Sequence, residues 1–334
     1  MRFKAFRLGR VAGIPVEVDI SWLIILVLVT ASFSFEVMPA LYPEAGVLVQ
    51  VVAGLMAALL FFASLVAHEM SHSMVARSAG TRVERITLFV FGGVAQMDDE
   101  PPSAGSEFLM AAAGPALSIS LSVLGTGAAV ASALVGAPIV VWAPLQLAAL
   151  TNLGLAVFNL FPGFPLDGGR MLRALLWRMT GDILWATKWA SRAGQAIGWA
   201  LVGGGLLSFA GSATGLLGGQ DPVGSLWMSL VGWFLASMAS RAYKEQQVRS
   251  RLAEIRVGDV MEGLPGTAAP VGPTARPLTG EVLASADEPL TRHLSLLGHA
   301  RPDFKFVVNE GRVVGVLTRT AVQRAVRSAI ASDR

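Results

Sequence analysis

The chain has 334 residues, of which 53% are hydrophobic and only 15% charged, with a mean hydropathy of +0.59. Soluble chains carry about 25% charged residues, so an ordinary soluble domain is excluded over most of the length. The net charge of +3 gives no basis for a nucleic-acid partner, and zero cysteines exclude disulfides and thiolate metal sites.

Residues 1–19 alternate in polarity around a Gly13-Ile14-Pro15 turn signal and predict a short strand pair. Six apolar stretches follow, at about 20–38, 48–78, 107–135, 140–161, 193–211 and 223–242, each long enough to cross roughly 30 Å of hydrocarbon. A basic start before an apolar run also resembles a signal peptide, but the later spans favour an uncleaved anchor. Arg2, Lys4, Arg7 and Arg10 precede the first span, and Arg77, Arg82 and Arg85 follow the second. Arg170, Arg173, Arg178, Lys188 and Arg192 follow the fourth, and Arg241, Lys244, Arg249 and Arg251 follow the sixth. The opposite loops hold no Lys or Arg, so both termini are expected in the cytoplasm of a multi-pass cell-membrane protein.

The second span carries His68-Glu69-Met70-Ser71-His72. Ionisable groups at membrane depth are costly and mark function. In a helix, His68 and His72 share one face and can grip one Zn²⁺. Glu69 lies about 100° round from His68, beside that ion, where it can serve as a general base. Only two other histidines exist, His293 and His299, both in the polar tail. The third ligand must then be a carboxylate.

Between the second and third spans, Ile86, Leu88 and Val90 alternate with Thr87 and Phe89 and predict a strand. Gly92-Gly93 would turn it or admit a close backbone. Lipid offers such a strand no hydrogen bonds, so pairing with the N-terminal strands is expected. The run Asp98-Asp99-Glu100 reads as a solvated loop. The fourth span ends in Asn159-Leu-Phe-Pro162-Gly-Phe-Pro165-Leu-Asp167-Gly168-Gly169-Arg170, and a shorter helix is expected near 168–180. Two prolines break the helix just before Asp167, and broken backbone at membrane depth is tolerated where it lines a cavity. Asp167 is therefore the candidate third ligand; otherwise it is a helix cap. Glycines at 198 and 203–205 suit close helix packing.

These motifs resemble the site-2 protease family of intramembrane zinc metalloproteases. The resemblance rests on His68-Glu69-Met-Ser-His72, Phe91-Gly92-Gly93-Val94-Ala95, Gly114-Pro115 and Asn159 through Arg170, and covers about residues 1–243. It implies one catalytic Zn²⁺ on His68, His72 and Asp167, Glu69 as general base, and Asn159 holding the substrate or the tetrahedral intermediate. It implies a polytopic α-helical fold of about six transmembrane helices with a small membrane-associated sheet. The implied substrate is a single-span membrane protein, such as an anti-sigma factor, trimmed first by another protease. A membrane transporter or metal carrier using the same His and Asp residues, or an inactive scaffold, are the rival readings.

Residues 244–334 have an ordinary polar mixture and predict a soluble cytoplasmic α/β domain. Phe304–Val308, an Asn309-Glu310-Gly311 turn and Arg312–Thr318 read as a hairpin, followed by a helix to about Ala331, while residues 263–277 form a Gly/Pro-rich connector. Val257-Gly258-Asp259-Val260-Met261 and Gly311 through Thr318 resemble pieces of a CBS domain, which implies an adenine-nucleotide module. The tail departs from that pattern. It is short for a repeat pair, and Thr318-Arg319-Thr320-Ala321 lacks the Asp expected to hold ribose. A degenerate regulatory module for homodimerisation or partner contact is the expectation.

Overall fold

The structure is a computed structural model that describes residues 5–81, 83–89, 92–97, 101–214, 222–263, 269–270, 283–297, 304–309 and 312–331. The chain divides into two compact units, Met1–Ser240 and Arg241–Arg334.

In the first unit, β1 (Ala5–Val11) and β2 (Ile14–Asp19) form an antiparallel hairpin. Its two turn residues, Ala12 and Gly13, both have positive φ, as a tight hairpin turn requires. Asp19 caps α1 (Ile20–Ser32) through Ser21 N, and the span continues through a π-helical turn, Phe33–Val37, into α2 (Met38–Leu41). α3 (Val47–Ser78) buries a stripe of small residues that includes Ala53, Gly54, Ala57 and Ala58. β3 (Val83–Phe89) and β4 (Gly92–Met97) form a second antiparallel hairpin. β2 pairs β3 in parallel, so the expected partnership of the N-terminal strands with this segment is met. The sheet order is β1-β2-β3-β4. Its inner residues Val16, Val18, Ile86 and Leu88 pack on Met70 of α3, which fixes the sheet beside the His-Glu motif.

α4 (Ala104–Leu134) opens with a Ser103/Ser106 capping box and contains Pro115. α5 (Ile139–Asn159) ends at the expected break, and α6 (Asp167–Thr180) restarts after it. α7 (Ile183–Thr214) begins ten residues before the expected start of the fifth span, and α8 (Pro222–Glu254) continues past the expected end of the sixth. The extra turn region of α7 carries Trp185, Lys188, Trp189 and Arg192, an amphipathic stretch that hydropathy alone reads as loop. Six helical segments are long and apolar enough to cross a membrane, and their outward residues, among them Leu48, Val123, Leu124 and Leu207, are exposed. The chain is a multi-pass membrane protein.

In the second unit, α9 (Val257–Val260) precedes the short strands β5 (Glu262–Gly263), β6 (Ala269–Pro270) and β7 (Leu283–Ser285). A 3₁₀ segment (Leu290–Leu297) leads to the β8 (Phe304–Asn309) and β9 (Arg312–Thr318) hairpin, and α10 (Arg319–Ala331) follows. The expected hairpin and helix are both present. The sheet runs β5-β9-β8-β7, with β6 also on β9. Leu252, Val257, Leu290, Val307, Leu317 and Val322 form its core. Most of the 263–277 connector, the acidic run 98–100, Val90, Phe91, Glu310, Gly311 and His299 lie outside the described residues.

Candidate metal centre

The centre is assembled from three helices. α3 places His68 and His72 one turn apart, with ring centroids 4.8 Å from each other and the rings nearly perpendicular. The Pro162/Pro165 break lets the chain turn back at the end of α5 and start α6 at Asp167. Two glycines make that turn possible. A Cβ on Gly168 would strike the carbonyls of Leu160 and Phe161, and one on Gly169 would strike the Gly163–Phe164 backbone. Asp167 is the first residue of α6, and Leu166 occupies the cap position. Its side chain turns to the imidazoles, with Oδ2 3.3 Å from His68 Nε2 and 3.2 Å from His72 Nε2. One ligand atom from each residue falls within 4.8 Å of the others, and both histidines are buried.

α4 completes the shell. The His68 Nδ1 lies 2.9 Å from Ser118 Oγ, and His72 Nδ1 lies 2.6 Å from the Met110 carbonyl. A carbonyl only accepts, so His72 Nδ1 carries a proton, and Nε2 is the ring nitrogen on the side of Asp167. Pro115, inside α4, has no N–H for the Ala111 carbonyl, next to Met110. Gly114 sits between these contacts, and a Cβ there would strike the Nε2 atoms of both histidines. The donor set fits zinc. Two imidazole nitrogens oriented by their other ring atoms, and one carboxylate oxygen, make a three-ligand site with room for a fourth group.

Glu69 and Asn159 stand at the same place without joining the ligand cluster. Both line a cavity of about 620 Å³ together with His68, His72 and Asp167. Glu69 packs against β4 so closely that a Cβ on Gly93 would strike its Cγ. Both glycines lie within β4, and what comes close to Gly93 is the Glu69 side chain rather than the expected backbone. Asn159 donates from Nδ2 to the Leu155 carbonyl at 3.1 Å. The rest of the cavity wall is mainly apolar and comes from α1, α3, β3, α5, the segment before α6, and α8, with Arg170 as its one Lys or Arg among the described residues. His293 belongs to the second unit and lies 2.9 Å from Glu288. Sequence reasoning missed Ser118, Met110 and the buried Glu107–Arg173 ion pair. Ser118 had one readable signal, its position four residues after Gly114 on the same helix face.

The profile of peptidase family M50 matches residues 56–136 and 130–201, segments that contain His68, Glu69, His72, Asn159 and Asp167. A Mycobacterium tuberculosis protein named as the zinc metalloprotease Rip3 is 34% identical over 96% of this chain and 93% of its own length. The chain belongs to peptidase family M50, the site-2 protease family. A Synechocystis protein named as a zinc metalloprotease is 38% identical over 76% of this chain, and the match spans 64% of that protein's length. A solved site-2 protease from Methanocaldococcus jannaschii is 29% identical, covering 72% of this chain and 95% of its own, with a TM-score of 0.48. As an M50 member the chain is a zinc metalloprotease of the membrane, and the metal-carrier reading is not favoured.

Proposed function

We propose that this chain hydrolyses peptide bonds within or near the transmembrane segment of a single-span membrane protein. The observation that carries the reading is the convergence of His68, His72 and Asp167 beside Glu69 in a cavity walled by membrane-spanning helices. His68, His72 and Asp167 hold the metal. Zinc, when bound there, acidifies water and polarises a carbonyl. A Glu69 carboxylate oxygen takes the proton of the attacking water and returns it to the leaving amine. Asn159, on the cavity wall, hydrogen-bonds the substrate at its carbonyl oxygen. The apolar wall keeps bulk water from the charged groups and strengthens their interactions.

A helical amide is shielded by its own backbone bonds, so the substrate must be extended where it is cut. β4 is one of the two outer strands of its sheet among the described residues and, unlike β1, touches the site, with Gly93 against Glu69, which suits it to bind an extended segment as an added strand. Loop charges support cytoplasmic termini and a site on the cytoplasmic side. By family resemblance the substrate is of the anti-sigma-factor kind, trimmed first by another protease. The Arg241–Arg334 unit is read as a degenerate CBS-like regulatory module for homodimerisation or partner contact rather than nucleotide binding.

The test is zinc analysis of the purified protein together with cleavage of a model transmembrane substrate. Glu69→Gln should keep zinc and lose about 10²–10⁴-fold in rate. Asp167→Ala should lose both zinc and cleavage. Full zinc and full activity in Asp167→Ala would remove it from the ligand set.

A further inference from the structure

Two of the three ligands have a supporting contact from α4: Ser118 for His68 and Met110 for His72. Asp167 is the exception, since no hydrogen bond from α4 to it is present among the described contacts. Eleven residues before Ser118, in the first turn of α4, stands Glu107, which is completely buried. Arg173 reaches it from α6 through Nε and Nη2, both on Oε1, and Arg173 is itself nearly buried. The Arg173 guanidinium also lies over the Phe164 ring, 5.2 Å from its centre. Phe164 belongs to the broken segment that delivers Asp167.

A buried ion pair is a poor device for stability, because desolvation offsets most of the attraction and an apolar pair of equal volume does as well. What it supplies is fixed geometry: a guanidinium donates in a rigid plane and cannot slide as methyl groups can. Here the plane is fixed at one end by Glu107 and on one face by Phe164. It therefore ties the second turn of α6, and through Phe164 the segment before Asp167, to the same helix that orients both histidines. Glu107 Oε2 has no hydrogen-bond partner among the described residues, so the carboxylate is held for its contact with Arg173 alone.

We propose that Glu107 and Arg173 are positioning residues for the metal ligand Asp167, and that α4 thereby acts as one template for all three ligands. This rests on the zinc reading given above. Loss of the pair would leave the ligands in place chemically but let Asp167 drift from the two Nε2 atoms. Supporting partners of metal ligands typically change metal affinity by about 10–100-fold, and that is the range expected here.

The experiment measures zinc affinity by chelator competition in the full-length purified protein, alongside thermal unfolding of the zinc-free form. The double variant Glu107→Leu/Arg173→Met removes both charges and strands neither. It should bind zinc about 10–100-fold more weakly, with the unfolding midpoint of the zinc-free protein little changed. A lower midpoint with wild-type zinc affinity would make the pair a structural tie only and overturn the proposal. Phe164→Leu keeps the ion pair and removes its stacking face, which gives a second, milder variant if the double one does not fold. A several-fold loss of zinc affinity supports the proposal, and no loss overturns it. A wild-type protein that held no zinc would overturn the metal assignment itself, and the positioning role with it.

Discussion

Gly114 shows how narrow the tolerance of the centre is at the scale of one atom. A glycine inside a helix costs roughly 0.5–1 kcal/mol relative to alanine, so its presence in α4 needs a reason. The reason is the pair of Nε2 atoms that occupy the place a Cβ would take. Gly127, on the same helix, has nothing within 4 Å of an added Cβ. Gly127→Ala should therefore be neutral or slightly stabilising, with full zinc content. Gly114→Ala should fold but lose most of its zinc, because the methyl group must displace at least one imidazole. Metal stoichiometry of the two purified variants decides the point, and equal zinc in both would show that Gly114 does not border the site. The two imidazoles themselves were legible in the sequence because helix periodicity makes positions four apart neighbours. Met110 was not, since a backbone carbonyl carries no residue signature and lies 38 positions from its His72 partner.

At the scale of elements, local chemistry was readable and long-range pairing less so. Pro162 and Pro165 announced the break before Asp167, because proline cannot continue a helix. The N-terminal part of α7 was hidden by Lys188 and Arg192, whose charges lower the hydropathy without breaking the helix. The β3–β4 hairpin was read as one strand with a glycine pair after it, since alternation alone does not say where a chain reverses. That hairpin leaves β4 at the edge of the sheet, and the consequence can be measured. Successive residues of a strand offer their amides to opposite edges. Of Val94→Pro and Ala95→Pro, one removes an N–H from the ladder with β3 and the other an N–H from the open edge. Loss of one backbone hydrogen bond is worth about 1 kcal/mol, roughly a fivefold effect. The open-edge variant should keep zinc and weaken substrate binding by about that factor, read as a rise in KM for a transmembrane substrate. Unchanged KM in both variants would show that the substrate does not add to β4.

At the scale of the whole molecule, the large apolar side chains that soluble proteins hide are on the outside, as in Val47, Leu48, Leu134 and Leu207, while Glu107, His68 and Ser118 are inside. That inversion fits a lipid surround, where the cost falls on unpaired polar groups rather than on exposed leucine. It does not say which way round the molecule sits. The orientation rests on the distribution of Lys and Arg, which cluster after the second, fourth and sixth spans and are missing from the 39–47, 136–139 and 212–222 loops. With no native cysteine, any introduced cysteine is the sole thiol of the chain. Met179, near the end of α6, is 80% exposed, and Val135, just after α4, is 83% exposed, so both can be labelled without disturbing the core. A membrane-impermeant maleimide added to intact cells should modify Val135→Cys and spare Met179→Cys. Inverted membrane vesicles should give the reverse. The same result would place the Asp167 end of α6, and with it the metal centre, toward the cytoplasmic face. Labelling of Met179→Cys in intact cells would turn the molecule over, and the substrate would then have to be cut from the other side of the bilayer.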